Sequence, residues 1–336
     1  MKNVKWGIIA PGRIADKFAA ALNAVDTAEL FAVASRDYDR AERFARKHDA
    51  QKAHTDYLQL VQDPDVDIVY VASPHTFHAE HAVLALEHGK PVLCEKPMTI
   101  NSNQSTLVFE TAHQHNVFCM EALWTRFMPV HQEIQKWVSR GAIGEIQMIQ
   151  ASFGFSFDFD PSGRLFDPYL AGGSLLDLGI YPITFAQMIM GDLVPERISA
   201  VATKGITGVD ENLGMFLQYE DGAIANLSSS TRCNTDYTAT ILGTKGKIVV
   251  PMFWCAESAE LYATDRTESQ LIEKIERKHF FNGYEWEILE AHNCLRSGST
   301  QSEIMPWDKT LNVIQIMDEI RNQIGVFYPS ERPGSG

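Results

Sequence analysis

Four short stretches of this chain bring together residue types that do chemistry. In PVLCEKP (91–97) an apolar run ends abruptly in Glu95, Lys96 and Pro97. A lysine in that position can hold a hydroxyl or tune a neighbouring acid. The plain alternative is a surface Glu–Lys pair, and a position directly behind Val-Leu-Cys disfavours it. In LLDLGIYP (175–182) Tyr181 follows Asp177 by four positions, which on a helix puts both on one face. A free tyrosine, with a pKa of about 10, is a poor base near neutral pH. A nearby ammonium favours its phenolate, and Lys96 supplies such a charge. Asp177 could bind a second hydroxyl or orient the pair. Taken alone, Tyr181 is better explained as an amphipathic residue packing a helix on a sheet.

The other two stretches have the chemistry of anion binding. In GIIAPGRIA (7–15) the spacing of the dinucleotide fingerprint G-x-G-x-x-G/A falls on Ala10, Gly12 and Ala15. Gly12 is where backbone must approach a pyrophosphate held at a helix start. Ala10 departs from the fingerprint, so the motif alone is weak and an ordinary strand–turn–helix would also produce it. Further on, Ser35-Arg36-Asp37 ends an apolar run. Arg36 can fork onto a ribose 2′-phosphate and stack on an adenine, and Ser35 can donate to the same phosphate. Asp37 would instead suit a 2′-hydroxyl, or cap the next helix. The balance favours NADP, with NAD possible. The bland reading of Arg36 is a solvated surface charge.

These residues need elements to hold them. Apolar, near-continuous runs at 4–10, 29–36, 67–73, 91–95 and 117–123 alternate with helical patterns at 13–25, 37–48, 75–89 and 102–115. Strands buried on both faces read this way, and the alternation predicts a doubly wound parallel sheet. Its strand ends face a ligand crevice. After about residue 125 the pattern changes. A helix near 127–139 leads into period-2 segments at 145–157, 211–232 and 237–250, with hairpin turns at YEDGAI and GTKGK. GSLLDLGIYPITFAQMIMG (173–191) reads as a helix laid on this second sheet. Helices near 284–296 and 306–324 follow. The expected fold is α/β: an N-terminal Rossmann domain over 1–123, and a C-terminal α/β domain with an open, mainly antiparallel sheet over 124–336.

Composition narrows the function classes. The formal net charge is −14 over 336 residues, which disfavours a nucleic-acid binder. The five cysteines are odd in number and scattered, so neither a disulfide framework nor a cysteine zinc site is expected. No apolar run is long enough for a membrane span, and the chain enters its first strand too soon to leave room for a signal peptide. A cytoplasmic protein is the expectation. His75, His78 and His81 recur at every third position without an acidic or cysteine partner set, so no metal is expected. Phe153, Phe155, Phe157 and Phe159 alternate and would share a strand face, as core or dimer interface rather than substrate pocket.

VASPHTFHAEHAVLALEHGKPVLCEKPMT (71–99) and GGSLLDLGIYP (172–182) resemble the Gfo/Idh/MocA family of oxidoreductases. The likeness covers most of the chain. MEALWTRFMP (120–129) and Tyr181 resemble the branch acting on trans-dihydrodiols and aldoses, where tyrosine replaces the histidine of most members. The resemblance implies a nicotinamide-dependent dehydrogenase with Lys96, Tyr181 and Asp177 as the catalytic set. It implies a cofactor site built from Ala10, Gly12, Arg13, Ile14, Ser35, Arg36, Ser73, Pro74, His75, His78, Glu95, Lys96, Trp124 and Arg126. The partner would be a small polyhydroxy substrate, and the assembly a homodimer through the C-terminal sheet. An NAD-dependent inositol or other sugar dehydrogenase is the nearest alternative. A catalytically silent NADP sensor is the alternative of another class, and such a protein could lose Lys96 or Tyr181 without penalty.

Overall fold

The computed structural model describes residues 3–265 and 267–331. The chain forms two compact units. One comprises the residues up to Phe127 together with His279–Leu311; the other comprises Met128–Lys278 and the residues from Asn312 on. The sequence boundary at 123/124 lies close to the first division. It misses the return of 279–311 to the first unit, a segment with no dinucleotide motif of its own.

The first unit holds six parallel strands, β1 (Val4–Ile9), β2 (Ala28–Ala34), β3 (Lys52–His54), β4 (Ile68–Val71), β5 (Val92–Glu95) and β6 (Cys119–Ala122). Their order is β3-β2-β1-β4-β5-β6, so the strand order reverses between β1 and β4, where open sheets of this kind take their ligands. Every residue of β4 and β5 is buried, as expected for strands covered on both faces. The helices are α1 (Arg13–Leu22), α2 (Tyr38–His48), α3 (Tyr57–Gln62), α4 (His78–Glu87) and α5 (Ser102–His115). Short β3 is invisible as a hydrophobic run because it is Lys-Ala-His, half-buried at the sheet edge.

The returning segment is built into this unit. It contributes α8 (Glu285–Ser297), while α6 (Pro129–Ser139) and α7 (Ile180–Ile189), which precede it along the chain, belong to the other unit. The indole N–H of Trp6 on β1 donates to Nε2 of His292 on α8 at 3.0 Å. His292 Nδ1 lies 3.1 Å from the Thr27 hydroxyl. Burial lowers the His292 pKa to about 4, with Arg296 adding to the effect. The amide of Cys119 donates to Thr300 O at 3.0 Å, and Trp307, at the start of α9 (Trp307–Ile324), donates from its indole to Cys119 O at 2.9 Å. The open edge of β6 is thereby covered.

The second unit contains an eight-stranded sheet ordered β14-β13-β12-β11-β7-β10-β9-β8. The strands are β7 (Ile146–Gly154), β8 (Arg197–Lys204), β9 (Asp210–Gln218), β10 (Ile224–Ser230), β11 (Thr238–Gly243), β12 (Gly246–Pro251), β13 (Ser258–Thr264) and β14 (Ser269–Glu276). Only β7 and β10 pair in parallel; all other neighbours are antiparallel. The two hairpins fall at the turns expected from sequence. Helix α7 is buried along its whole length. No disulfide links the five cysteines. No helix among the described residues is long and apolar enough to cross a membrane.

Candidate active site

In the first unit the turn between β1 and α1 has the backbone of a dinucleotide site. Ala10 stands at φ 62°, the left-handed conformation that the fingerprint usually gives to glycine. Gly12 is the extended N-cap of α1, and no side chain caps that helix start. A Cβ built on Gly12 would come no closer than 4.0 Å to its nearest neighbour, Ala10 O. The helix start, led by Arg13 and Ile14, therefore opens on space of the kind an anion fills. At the end of β2, the Ser35 hydroxyl accepts the Asp37 N–H at 3.2 Å, and Asp37 accepts the Arg40 N–H at 3.1 Å. Asp37 is thus the cap of α2, one of the two roles its position allowed. Exposed Arg36 lies 5.7 Å from the Phe77 ring centre.

The end of β4 is tied to the lysine turn. His78 presents Nδ1 to Pro97 O and Nε2 to Ser73 O, both at 2.8 Å. Its ring nitrogens are occupied by protein carbonyls, so His78 joins the Ser73-Pro74 corner to the residues after Lys96. His81 Nδ1 lies 2.9 Å from the Ser73 hydroxyl, and burial lowers the His81 pKa to about 4, helped by His78 and Arg36. The rings of His75 and His78 meet edge to face at 5.6 Å.

Lys96 follows β5 directly and is half-buried, whereas Glu95 is buried, which excludes the surface-pair reading. The Tyr70 hydroxyl donates to one Glu95 oxygen, and the Lys96 N–H donates to the other at 3.2 Å. The Lys96–Pro97 peptide is cis. Two residues on, the Met98 N–H donates to Glu121 at 2.7 Å, while Thr310 donates its hydroxyl to the other Glu121 oxygen at 3.0 Å. Burial raises the Glu121 pKa to about 7 against the hydrogen bonds and the charges of Arg126 and Lys96.

Trp124 and Arg126 lie in the short turn Trp124–Phe127 after β6. The Trp124 indole stacks on Tyr284 at 4.5 Å and 15°, and its buried N–H has no protein partner among the described residues. An unsatisfied donor of this kind fits a site that binds a polar ligand. Glu285 receives the N–H groups of Phe281, Asn282 and Gly283 and so fixes the loop that carries Tyr284. Glu287 is fully buried, and neither of its oxygens has a partner among the described residues. Burial, reinforced by Glu95, pushes its pKa well above the ordinary range. Sequence reasoning missed Glu121, Tyr284, Glu285 and Glu287. The three glutamates had as their only local signal an acid placed among apolar neighbours, and Tyr284 had none.

In the second unit the residues Leu175–Gly179 form a π turn that continues into α7. Asp177 lies inside this wider turn, so the four-residue spacing to Tyr181 is not that of a regular α-helix. Such turns recur at functional sites. The turn is clamped at its start, where Asp210 accepts the Leu175 N–H at 2.7 Å and the Ser174 hydroxyl at 2.8 Å. Burial raises the Asp210 pKa to about 6. Gly173 sits at φ 122°, and a Cβ there would lie 2.3 Å from the Asp210 carboxylate. Arg164 closes a fork on Asp177, at 2.8 and 3.1 Å.

Tyr181 is buried and packs edge to face on Phe153 at 5.1 Å. Phe153 also meets Trp254 at 4.4 Å, and Phe155 meets Tyr237 at 5.0 Å. The alternating phenylalanines do not share one strand face. Strand β7 ends at Gly154, where a Cβ would come within 2.7 Å of Cys233 O, and Phe157 and Phe159 lie exposed beyond it. Phe153 faces the helix side of the sheet, so the dimer-interface reading does not apply to it.

Comparison with known proteins shows the family and the fold. The oxidoreductase family model with an NAD-binding Rossmann fold matches residues 4–123, and the GFO/IDH/MocA C-terminal domain matches residues 131–249. The trans-1,2-dihydrobenzene-1,2-diol dehydrogenase of Xenopus laevis is 36% identical over 329 residues, covering 97% of this chain and 99% of its own. Two solved structures share the fold. The aldose–aldose oxidoreductase of Caulobacter crescentus, complexed with glycerol, has a TM-score of 0.85 at 22% identity, covering 96% of this chain and 97% of its own. Levoglucosan dehydrogenase, complexed with NADH and L-sorbose, has 0.86 at 20%, covering 97% of each chain. This chain belongs to the Gfo/Idh/MocA family and is an NAD(P)-dependent oxidoreductase.

Proposed function

We propose that the protein oxidises a secondary alcohol of a vicinal diol with NADP, its substrates being trans-dihydrodiols and aldoses, and that Lys96 and Tyr181 are its acid–base pair. The observation that carries this reading is the π turn. It holds an ion-paired Asp177 and, just beyond, a tyrosine packed on an aromatic wall. Aromatic faces suit the C–H face of a small ring, and a fixed carboxylate suits a hydroxyl. The named activity of the Xenopus laevis relative fits the same substrate class.

NADP is favoured over NAD because Asp37 is engaged as a helix cap while its neighbour Arg36 is exposed and carries the charge that suits a phosphate. Ala10, Gly12, Arg13 and Ile14 would hold the pyrophosphate. Ser73, Pro74, His75, His78 and Glu95 would shape the corner near the nicotinamide, with Trp124 and Arg126 beside it. The bound nicotinamide supplies the hydride acceptor. Tyr181, as phenolate, takes the hydroxyl proton while the carbinol carbon loses its hydride and becomes a carbonyl. The Lys96 ammonium favours that phenolate and binds the same oxygen.

We further infer a cytosolic homodimer through the outer face of the second sheet. There Val201 is 74% and Phe216 50% exposed, on the same face of adjacent strands, with Val201 opposite Gly214 and Phe216 opposite Ser199. A monomer in sedimentation at micromolar concentration would overturn the assembly. The functional test is nicotinamide reduction with NADP and with NAD against aldopyranoses, inositols and a trans-dihydrodiol, with Lys96→Met alongside. Turnover of a diol or aldose that the variant loses is expected. Tight NADP binding without turnover of any of them would defeat the reading.

A further inference from the structure

The loop before the π turn presents a charged group that the proposed reaction does not yet use. Arg164 places Nη1 2.8 Å from one Asp177 oxygen and Nη2 3.1 Å from the other. This is the parallel fork that fixes a carboxylate in both position and plane. The Arg164 side chain is 38% exposed, whereas that of Asp177 is 12% exposed. The guanidinium thus stands on the solvent side of a carboxylate set deeper in the unit.

The mounting of Arg164 is tight. The residues after it, Leu165 and Phe166, are buried. Leu165 O accepts the Gly173 N–H at 2.8 Å. A Cβ on Gly172 would lie 2.8 Å from the Leu165 carbonyl and 3.0 Å from Arg164 O. The diglycine therefore lets the backbone of Arg164 lie directly against the start of the turn that carries Asp177. Upstream, Asp160 accepts the N–H and hydroxyl of Ser162, and its backbone carbonyl accepts the Gly163 N–H. The loop is braced on both sides of Arg164.

We propose that Arg164 is a specificity-determining positioning residue. By gripping both oxygens of Asp177 it fixes that carboxylate as the acceptor for the hydroxyl next to the reacting carbinol, and so selects vicinal diols over mono-alcohols. The inference rests on the dehydrogenase reading above. A carboxylate offers about four lone-pair sites and so can serve more than one partner at a time. A carboxylate gripped in such a fork is fixed in position and plane. That leaves proton transfer to Tyr181 and gives Asp177 a recognition role. A site built around a hydroxyl discriminates strongly against an analogue that lacks it, because its own polar group is then left unmatched.

The test compares a trans-dihydrodiol with the matching mono-alcohol in wild-type protein, Arg164→Ala, Arg164→Lys and Gly172→Ala. In Arg164→Ala, kcat/KM for the diol should fall by on the order of a hundredfold, while that for the mono-alcohol changes by less than about threefold. Added guanidinium ion, at concentrations far below those that unfold proteins, should restore part of the diol activity and leave the mono-alcohol rate unchanged. Arg164→Lys, with charge but no fork, should be intermediate. Gly172→Ala, which pushes on the Arg164 backbone, should lose diol preference in the same sense. Unchanged NADP binding checks that Arg164→Ala is folded. Equal losses on both alcohols, or a diol preference that survives without Arg164, would overturn this inference alone. Wild-type protein that oxidises neither alcohol would overturn the dehydrogenase reading as well.

Discussion

Two buried carboxyl groups do the same work in different surroundings. Glu121 accepts the Met98 N–H just beyond Lys96, and Asp210 accepts the Leu175 N–H just before Asp177. Each clamps the backbone of a turn that carries a residue of the proposed site, Lys96 in one case and Asp177 in the other. Burial raises both pKa values, to about 7 and about 6. Around Glu121 the opposing influences include the charges of Arg126 and Lys96; around Asp210 they are hydrogen bonds alone, from Ser174 and the backbone. One clamp is thus held partly by long-range charge, the other by short-range contact. Salt and pH should separate them.

The largest effect expected is on the proposed acid–base pair that these turns lead to. Lys96→Met and Tyr181→Phe should each lower kcat by about a thousandfold while NADP affinity stays within about twofold. Steady-state rates and fluorescence titration would measure both. Near-normal turnover in either variant would put the chemistry elsewhere, and the clamps would then be only structural.

The clamps come next. Asp210→Ala strands the Leu175 N–H in a buried site and leaves the Ser174 hydroxyl with Ser229 as its side-chain partner, and should cost about 2–3 kcal/mol in urea unfolding. The cost should be insensitive to salt. A loss below about 0.5 kcal/mol would show that the turn does not need its clamp.

The pH dependence has a definite sign. Both acids hold their protons more tightly when folded than when unfolded, so their contribution is full at low pH and is lost as pH rises. For Asp210 the decline runs from about pH 4 to 6, and for Glu121 from about 4.5 to 7. Each spans up to about 3 kcal/mol. Asp210→Asn should flatten the lower window and Glu121→Gln the upper one, read from unfolding free energies across the range. A flat wild-type profile through both windows would refute the burial argument.

The smallest effect concerns the cofactor. Arg36→Ala should weaken NADP binding by about tenfold, some 1.4 kcal/mol, and leave NAD binding unchanged. Equal effects on the two would make Arg36 a general anion contact, not a reader of the 2′-phosphate.

The legible part of this molecule is what local pattern encodes. The long buried strands, the hairpin turns and most helices announce themselves by apolar period. Lys96 and Tyr181 stand out because a charge or a phenol follows such a run. What stayed hidden depends on distant partners. Strand β8 has no buried residue, β13 buries only Ala259 and Leu261 and β14 only Ile275, so none of them reads as an apolar run that separates it from loop. The π turn reads as ordinary helix, since Leu-Leu-Asp-Leu-Gly has nothing to mark the wider turn. Glu121 and Asp210 look like surface acids until tertiary packing buries them. Arg164 gains meaning only when the diglycine brings its backbone against Asp177.

The return of residues 279–311 to the first unit bears on how the protein is made. A ribosome finishes the segment up to Phe127 long before Tyr284, His292 and Thr300 exist. Until they emerge, the Trp6 indole has no acceptor, Trp124 has no stacking partner and the β6 edge lies open. The second unit is synthesised in the meantime. An exposed strand edge on a nascent chain invites pairing with its neighbours, so the most vulnerable stage of this protein's life is the interval between its first unit's sequence and that unit's completion. A fragment cut at Phe127 makes that interval permanent.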